Sequence, residues 1–174
     1  MAGWEQEIRQ HRAEKEEYLR EHPQSPVAET ETFDGLQYFA PDPAYRFELT
    51  LDEFADHEAV SVGTSTGGQR TYYRWGEFAF TVGGEDCTLT AYRADPDEQR
   101  LWIPFTDETN GDETYEVGRY LDLTGEDLTG SGDWVLDFNR AYNPYCAYSD
   151  AYECPLVPPE NHLDVRIEAG EKAP

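Results

Sequence analysis

Two short stretches of the chain concentrate side chains that could bind or transform a small molecule. The first, residues 113–122, places Glu113, Tyr115 and Arg119 at alternate positions. Alternate residues of a β-strand point to the same side, so an acid, a phenol and a guanidinium would share one face. We interpret that face as the polar wall of a pocket if it points inward, and as an ordinary solvated surface if it points outward.

The second stretch, residues 137–146, contains two amide side chains, Asn139 and Asn143, on either side of Arg140. Amides both donate and accept hydrogen bonds, and they can therefore recognise a small polar ligand. The alternative role is turn scaffolding, because Asn143 precedes a proline and its side chain can bond its own backbone there.

Arg119 and Arg140 are the only basic residues in the span 101–165, which holds fourteen Asp and Glu residues. An arginine in such surroundings pairs with a carboxylate and stabilises the fold, or it binds the carboxylate or phosphate of a ligand. We include both arginines in a candidate site for a small polar or anionic molecule. Its other members are Glu113, Tyr115, Asn139 and Asn143.

The cysteines suggest weaker alternatives. Cys146 is a candidate nucleophile, but a catalytic thiolate needs a cation or a partner base, and no histidine is near it in the sequence. Cys146, Cys154 and His162 could begin a metal site, although the gap between the two cysteines matches none of the short zinc spacings. A packed or bridged cysteine pair is the favoured interpretation. No nucleotide-binding or other cofactor motif occurs, so the sequence names neither a cofactor nor a reaction.

A helix precedes these stretches. Five positions recur with the spacing of one helical face, which predicts an α-helix over residues 3–21. These positions are Trp4, Ile8, Lys15, Tyr18 and Leu19. Pro23 and Pro26 are expected to end the helix, because proline lacks an amide proton and favours extended geometry in the residue before it.

From residue 33 onward the pattern is typical of short β-strands separated by turns. The pairs Gly67-Gly68 and Gly83-Gly84 favour consecutive antiparallel hairpins. Eight or nine strands in about 130 residues predict an antiparallel β-barrel, or a barrel-like sandwich, behind one N-terminal α-helix. The later strands are predicted at 101–105, 114–121, 134–138 and 163–167.

The length fits one domain over residues 1–174, with the helix followed by a β-body over residues 33–168. Residues 139–161 form a long loop rich in tyrosine and proline. Loops of more than about 15 residues in a compact domain are often functional.

The formal charge is −24, from 37 acidic and 13 basic residues. Concentrated salt shortens the Debye length to about 3 Å at 1 M and relieves the self-repulsion of such a chain, which indicates a halophilic protein. Nucleic acid is not an expected partner, because no basic stripe is present to displace phosphate counterions. Without a secretion signal or a membrane-length apolar run, we expect a cytoplasmic protein that does not enter membranes.

The chain resembles the family called domain of unknown function 1684. The resemblance rests on five blocks: residues 22–26, 35–45, 113–122, 136–148 and 154–161. The fourth block, Leu-Asp-Phe-Asn-Arg-Ala-Tyr-Asn-Pro-Tyr-Cys-Ala-Tyr, is the most specific. The resemblance implies a single domain over nearly the whole chain, and it brings no established activity.

Three hypotheses follow. The first is a ligand-binding or enzymatic barrel whose pocket gathers the candidate residues, with Cys146 at its mouth. The second is a non-enzymatic structural or interaction module, in which the arginines and tyrosines fix the long loop. The third is a metal-binding domain built on the cysteines. The oligomeric state is left open by the sequence.

Overall fold

The computed structural model describes residues 2–23, 25, 35–149 and 152–174. One α-helix, α1, spans Ala2–Glu21 and confirms the predicted helix. Ile8 and Leu19 are its buried residues, whereas Tyr18 is exposed. The predicted stop at Pro26 and the predicted start of the β-body at residue 33 lie outside the described residues.

Eight antiparallel strands follow within the described residues. They are β1 (Arg46–Leu49), β2 (Asp52–Glu53), β3 (Ala59–Gly63), β4 (Gln69–Val82), β5 (Glu85–Arg93), β6 (Leu101–Phe105), β7 (Arg119–Leu123) and β8 (Trp134–Asp137). Six of them form one sheet in the order β2-β4-β5-β6-β7, with β3 also paired to β4. The other two, β1 and β8, form a separate pair.

The barrel prediction is wrong, since neither sheet closes on itself within the described residues. The edge of β7 pairs with the long loop instead of with another strand of the sheet. The amide of Tyr120 donates to the carbonyl of Tyr142 at 2.9 Å, and the amide of Tyr142 donates back at 3.0 Å. This two-way bridge covers the free edge that a barrel would have joined to its first strand.

The large sheet is buried on both faces, as the alternation in β6 shows. Leu101, Ile103 and Phe105 lie in the main core, while Trp102 belongs to a second cluster on the opposite face. We call that cluster the outer aromatic face. It consists of Val62, Tyr72, Tyr92, Trp102 and Tyr120.

A β-bulge in β4 changes which residues of the strand face the main core. The register against β5 shifts between Arg74 and Gly76. Before the shift Tyr72 lies on the outer aromatic face and its neighbour Tyr73 packs against the main core. After the shift the even-numbered residues Phe78 and Phe80 lie in the main core, so the bulge inverts the alternation along the strand.

Two predicted strands need correction: the strand predicted at 114–121 begins later than expected, and the strand predicted at 163–167 is not formed. Residues 107–118 form turns, and β7 begins only at Arg119. Gly118 has φ of +122°, and a Cβ there would lie 2.8 Å from the carbonyl oxygen of Phe105. That conformation interrupts the extended backbone immediately before the strand. Residues 163–167 do not form a strand either, although Leu163 and Ile167 are buried in the main core.

No helix in the described part of the chain is both long enough and apolar enough to cross a membrane. Helix α1 has the length but is too polar.

Candidate ligand-binding cleft

Arg119 lies in the main core, where it is 1% exposed. Its Nη2 is 3.3 Å from Oδ2 of the buried Asp107 and donates to the carbonyl of Ile167 at 2.9 Å. Its Nη1 donates to the carbonyls of Ala169 and Glu171. Burial lowers the pKa of Arg119 to about 10, against the opposing charges of Asp107 and Glu171, so the guanidinium stays charged at neutral pH. Arg119 therefore holds the backbone of residues 167–171, which we call the C-terminal segment, against the main core.

Asn139 is a buried connector. Its side chain accepts from the amide of Asp42 at 2.9 Å and donates to the carbonyl of Asp42 at 2.8 Å and to the carboxylate of Asp137 at 2.8 Å. The same Asp137 carboxylate accepts from the Trp4 indole of α1 at 2.8 Å. Asn139 thus helps to hold helix α1 and the turn at Asp42 against strand β8.

Asn143 makes a similar connection to the C-terminal segment. Its Nδ2 donates to the carbonyl of Lys172 at 2.9 Å and to the hydroxyl of Tyr148 at 3.2 Å. Its backbone amide and the Tyr148 hydroxyl both donate to the buried Glu171 carboxylate. Lys15 of α1 pairs with that carboxylate as well.

Glu113 and Tyr115 do not share a strand face with Arg119, because they lie in the turns before β7. Glu113 pairs with Arg166, with 2.6 Å between Oε1 and Nη2. The Tyr115 hydroxyl lies 3.8 Å from Sγ of Cys146. Burial, followed by Cys146 itself, raises the pKa of Tyr115 to about 12.

The structure gathers Cys146 and Cys154 but not the third residue of the metal hypothesis. The amide of Cys146 donates to Sγ of Cys154 at 3.2 Å. His162 instead groups with Glu108 and Asp164, all three exposed, with their ligand atoms within 4.8 Å of one another. Nδ1 of His162 is hydrogen-bonded to the hydroxyl of Thr106 at 2.8 Å.

Arg140 is the only one of the six candidate ligand-binding residues on the wall of the main cavity. This cavity has a volume of about 710 Å³ and opens beside the outer aromatic face. A smaller hollow of about 210 Å³, lined in part by Tyr72 and Trp102, adjoins it. The two share five lining residues, so we treat them as one cleft. The shared residues are Arg70, Arg100, Tyr120, Tyr142 and Pro155.

Aromatic rings form much of the cleft wall. Tyr120 and Tyr142 pack edge to face with 5.8 Å between ring centroids, and Tyr145 and Tyr152 do so at 5.3 Å. Trp102 continues the wall from Tyr120, at 5.2 Å. Rigid rings present a large contact area at low entropic cost, which suits the binding of a planar molecule.

Cations enter the cleft from four separate parts of the chain, and most of them are already paired. Arg100 pairs with Asp122 at 2.8 Å, and Arg70 donates to the carbonyl of Glu153 at 2.9 Å. Arg140, which is exposed, forms no ion pair or hydrogen bond with any residue in the described part of the chain. It is therefore the cation available to a ligand.

Asp122 supplies an acceptor on the same wall. Its Oδ2 accepts hydrogen bonds from Arg100 and from the hydroxyl of Tyr142. Its Oδ1 is buried and has no hydrogen-bond partner among the described residues. Because this oxygen has almost no accessible surface, a ligand in the cleft would contact other groups of the wall.

His11 of α1 lies at the cleft beside these cations. Burial, and then the positive charges of Arg140 and Lys15, lower the pKa of His11, while Glu14 and Glu171 oppose the shift. The imidazole is thus neutral at pH 7, and its pKa depends on the charges in the cleft.

Comparison with known proteins places the chain in a family. A family model described as a protein of unknown function, DUF1684, matches residues 31–172. The chain belongs to the DUF1684 family. The DUF1684 chain is also similar to an uncharacterised protein of Haloarcula marismortui solved by solution NMR. The two share 40% identity with a TM-score of 0.75, over 98% of this chain and 95% of the other. No curated protein matches the sequence.

The loop 139–161, singled out from the sequence, lines one side of the cleft of this DUF1684 protein, but sequence reasoning missed the lining residues outside that loop. His11, Arg70 and Arg100 are widely separated in the sequence, and none lies in a recognisable motif. One available signal was the scarcity of basic residues, since four of the thirteen lie on this one wall. They are Lys15, Arg70, Arg100 and Arg140.

Proposed function

We propose that this DUF1684 protein binds a small, planar, anionic molecule in the cleft, with Arg140 as the charged anchor and the tyrosine rings as walls. The observation that carries the proposal is an exposed, unpaired Arg140 beside an aromatic cavity of about 710 Å³, a size typical of small-molecule sites.

The charge distribution supports an anionic ligand. Over the whole chain, acidic residues outnumber basic residues 37 to 13. On the cleft wall the two are nearly balanced, with four cations and five carboxylates. The carboxylates are Glu98, Asp122, Glu126, Asp127 and Glu153. An anion approaching this protein would therefore meet less repulsion at the cleft than elsewhere.

High salt favours a contact anchor over long-range attraction. At about 1 M salt the Debye length is about 3 Å, so charges that do not touch the ligand contribute little. A guanidinium that meets a carboxylate or phosphate directly, with two parallel hydrogen bonds, keeps its interaction under such conditions. Arg140 is free to make that contact.

The geometry supports binding better than catalysis. The cysteine on the cleft wall is Cys154, and burial raises its pKa to about 11 together with the neighbouring Cys146, so it is a weak nucleophile at neutral pH. Among the residues that the structure describes, His11, the histidine on the same wall, makes no hydrogen bond with a nucleophile.

The test is a fluorescence titration with 8-anilinonaphthalene-1-sulfonate, an aromatic anion, in about 1 M KCl. The proposal predicts saturable binding of one dye per chain, weakened roughly tenfold in Arg140→Ala, which corresponds to the loss of one charge-assisted contact. Arg9→Ala is the matched control, because Arg9 is an exposed arginine paired with Glu5 on the surface of α1. Equal affinities of the two variants would refute Arg140 as the anchor.

A further inference from the structure

We infer that Cys146 and Cys154 form a reversible intramolecular disulfide that fastens the tyrosine wall of the cleft. The inference does not depend on the proposed ligand. It rests on the placement of the two sulfurs and on the way the surrounding chain holds them.

The two cysteines lie beside each other. Sγ of Cys154 lies 3.2 Å from the backbone nitrogen of Cys146. Because the N–Cα bond is about 1.46 Å, that sulfur is no more than about 4.7 Å from Cα of Cys146. The Cys154 sulfur thus lies next to the Cys146 residue, and rotation of the Cys146 side chain can turn its own sulfur toward it.

The backbone holds Cys154 in place from the other side. Its amide donates to the hydroxyl of Ser65 at 3.1 Å, and its carbonyl accepts from the amide of Ser65 at 2.9 Å. Cys146 sits in a short 3-10 helix, Tyr145–Ala147, whose following residue Tyr148 is anchored to Glu171. Two anchored segments that meet at their sulfurs can be linked with little loss of native geometry.

The two thiols differ in exposure, and this difference predicts which of them reacts first with an oxidant. Cys146 is half-buried, whereas Cys154 is 7% exposed. An oxidant therefore reaches Cys146 first, and Cys154 acts as the resolving thiol. The amide of Cys146 that donates to Sγ of Cys154 stabilises negative charge on that sulfur as it reacts.

The oxidant is a low-molecular-weight disulfide, RSSR. The Cys146 thiolate attacks one sulfur of RSSR to give a Cys146–S–S–R mixed disulfide, and the thiolate that leaves takes up the proton lost by Cys146. The Cys154 thiol, a weak nucleophile at neutral pH but held beside the mixed disulfide, then loses its proton and attacks the Cys146 sulfur, and the second thiolate that leaves takes up that proton. Two protein thiols are oxidised to one disulfide, and one RSSR is reduced to two RSH.

The bridge would fasten two sides of the cleft wall to each other. Tyr145 precedes Cys146 and Tyr152 lies close before Cys154, and their rings already pack edge to face. Both tyrosines line the cleft. The redox state of the pair would thus determine how freely these rings separate.

To test this, the folded protein in about 2 M KCl is treated with oxidised glutathione. The remaining thiols are then alkylated and the peptides are mapped. We expect a Cys146–Cys154 cross-link, two fewer alkylated thiols, and a melting midpoint raised by roughly 4–8 °C. Cys87→Ala is the control, since Cys87 is buried away from the pair in the main core, and it should cross-link as the parent does.

A second variant separates the two steps. Cys154→Ser should stop at a stable glutathione adduct on Cys146, because the resolving thiol is missing. Three alkylated thiols in the treated parent protein, or a cross-link that involves Cys87, would overturn the inference. So would a glutathione adduct that persists on Cys146 while Cys154 is intact.

Discussion

Arg119 and Tyr120 are neighbours in β7, yet their side chains lie on opposite faces of the same sheet. Arg119 faces the main core and contacts Asp107 and the C-terminal backbone. Tyr120 belongs to the outer aromatic face, and its hydroxyl donates to the carbonyl of Pro155 on the cleft wall. Consecutive residues of this strand therefore contribute to the main core and to the cleft wall.

Replacing Arg119 should damage stability and leave the cleft intact. Arg119→Met leaves the Asp107 carboxylate buried without its cation and removes donors from the Ile167 and Ala169 carbonyls. Breaking a buried pair in this way costs about 3–5 kcal/mol of unfolding free energy. Denaturant titration in high salt measures the loss. Dye affinity, measured where the variant is still folded, should equal that of the parent.

The matched control is Arg166→Met, because Arg166 forms its ion pairs with Asp112 and Glu113 at the surface. Its stability should change little, since surface pairs contribute little. If Arg119→Met were as stable as Arg166→Met, the structural role of Arg119 would be wrong.

The sequence predicted the elements well where a single pattern decides the structure. Strand β6 has the predicted bounds, 101–105, because a continuous run of apolar residues ends at polar residues on both sides. The helix 3–21 is also confirmed, since its apolar spacing is regular and Pro23 follows it. These features depend only on local spacing and on residues that interrupt regular structure.

The sequence could not predict which face of β7 would meet the cleft. Both faces of that strand are buried, so alternation alone does not distinguish core from cleft. The positive φ of Gly118 sets where the strand begins, and no pattern in residues 113–119 reveals it. The bridge between Tyr120 and Tyr142, which takes the place of barrel closure, joins segments that only the folded chain brings together.

The ion pair that fixes α1 can be measured with a double-mutant cycle. Lys15 pairs with the Glu171 carboxylate, which is almost fully buried. Lys15→Met should therefore destabilise the fold by about 1.5–3 kcal/mol, because a buried charge loses its cation. Lys15→Met combined with Glu171→Gln should lose less than the sum of the two single variants. Strict additivity in chemical denaturation would show that the pair contributes nothing.

Dye binding should strengthen as the pH falls, through His11. Burial and the charges of Arg140 and Lys15 lower the pKa of His11 in the free protein, so it is neutral at pH 7. A bound anion offsets those charges and favours protonation, so its affinity rises as the pH falls below about 6.5. Fluorescence titrations between about pH 7.5 and 5 measure the trend. His11→Gln should remove the dependence, and an unchanged slope in that variant would assign the effect to other groups.

The turn before β7 should not tolerate a side chain. Gly118 has φ of +122°, and a Cβ there would lie 2.6 Å from Cγ2 of Val157 and 2.8 Å from the carbonyl of Phe105. Gly118→Ala should lose roughly 2–4 kcal/mol of unfolding free energy from backbone strain and overlap. Gly83→Ala is the control, because it keeps a positive φ but has open space around the added Cβ. Equal losses in the two variants would show that the overlap with Val157 and Phe105 contributes nothing and that the positive φ alone causes the loss.

Anion binding in the cleft can be located by an NMR titration of isotope-labelled protein with 8-anilinonaphthalene-1-sulfonate in about 1 M KCl. We expect the largest saturable shift changes on the side chain of Arg140, the ring of His11 and the backbone of Asp122 and Tyr142. Changes around Asn139 and Arg119 should be small. Changes centred on those two buried residues, with the Arg140 guanidinium unaffected, would refute binding at Arg140.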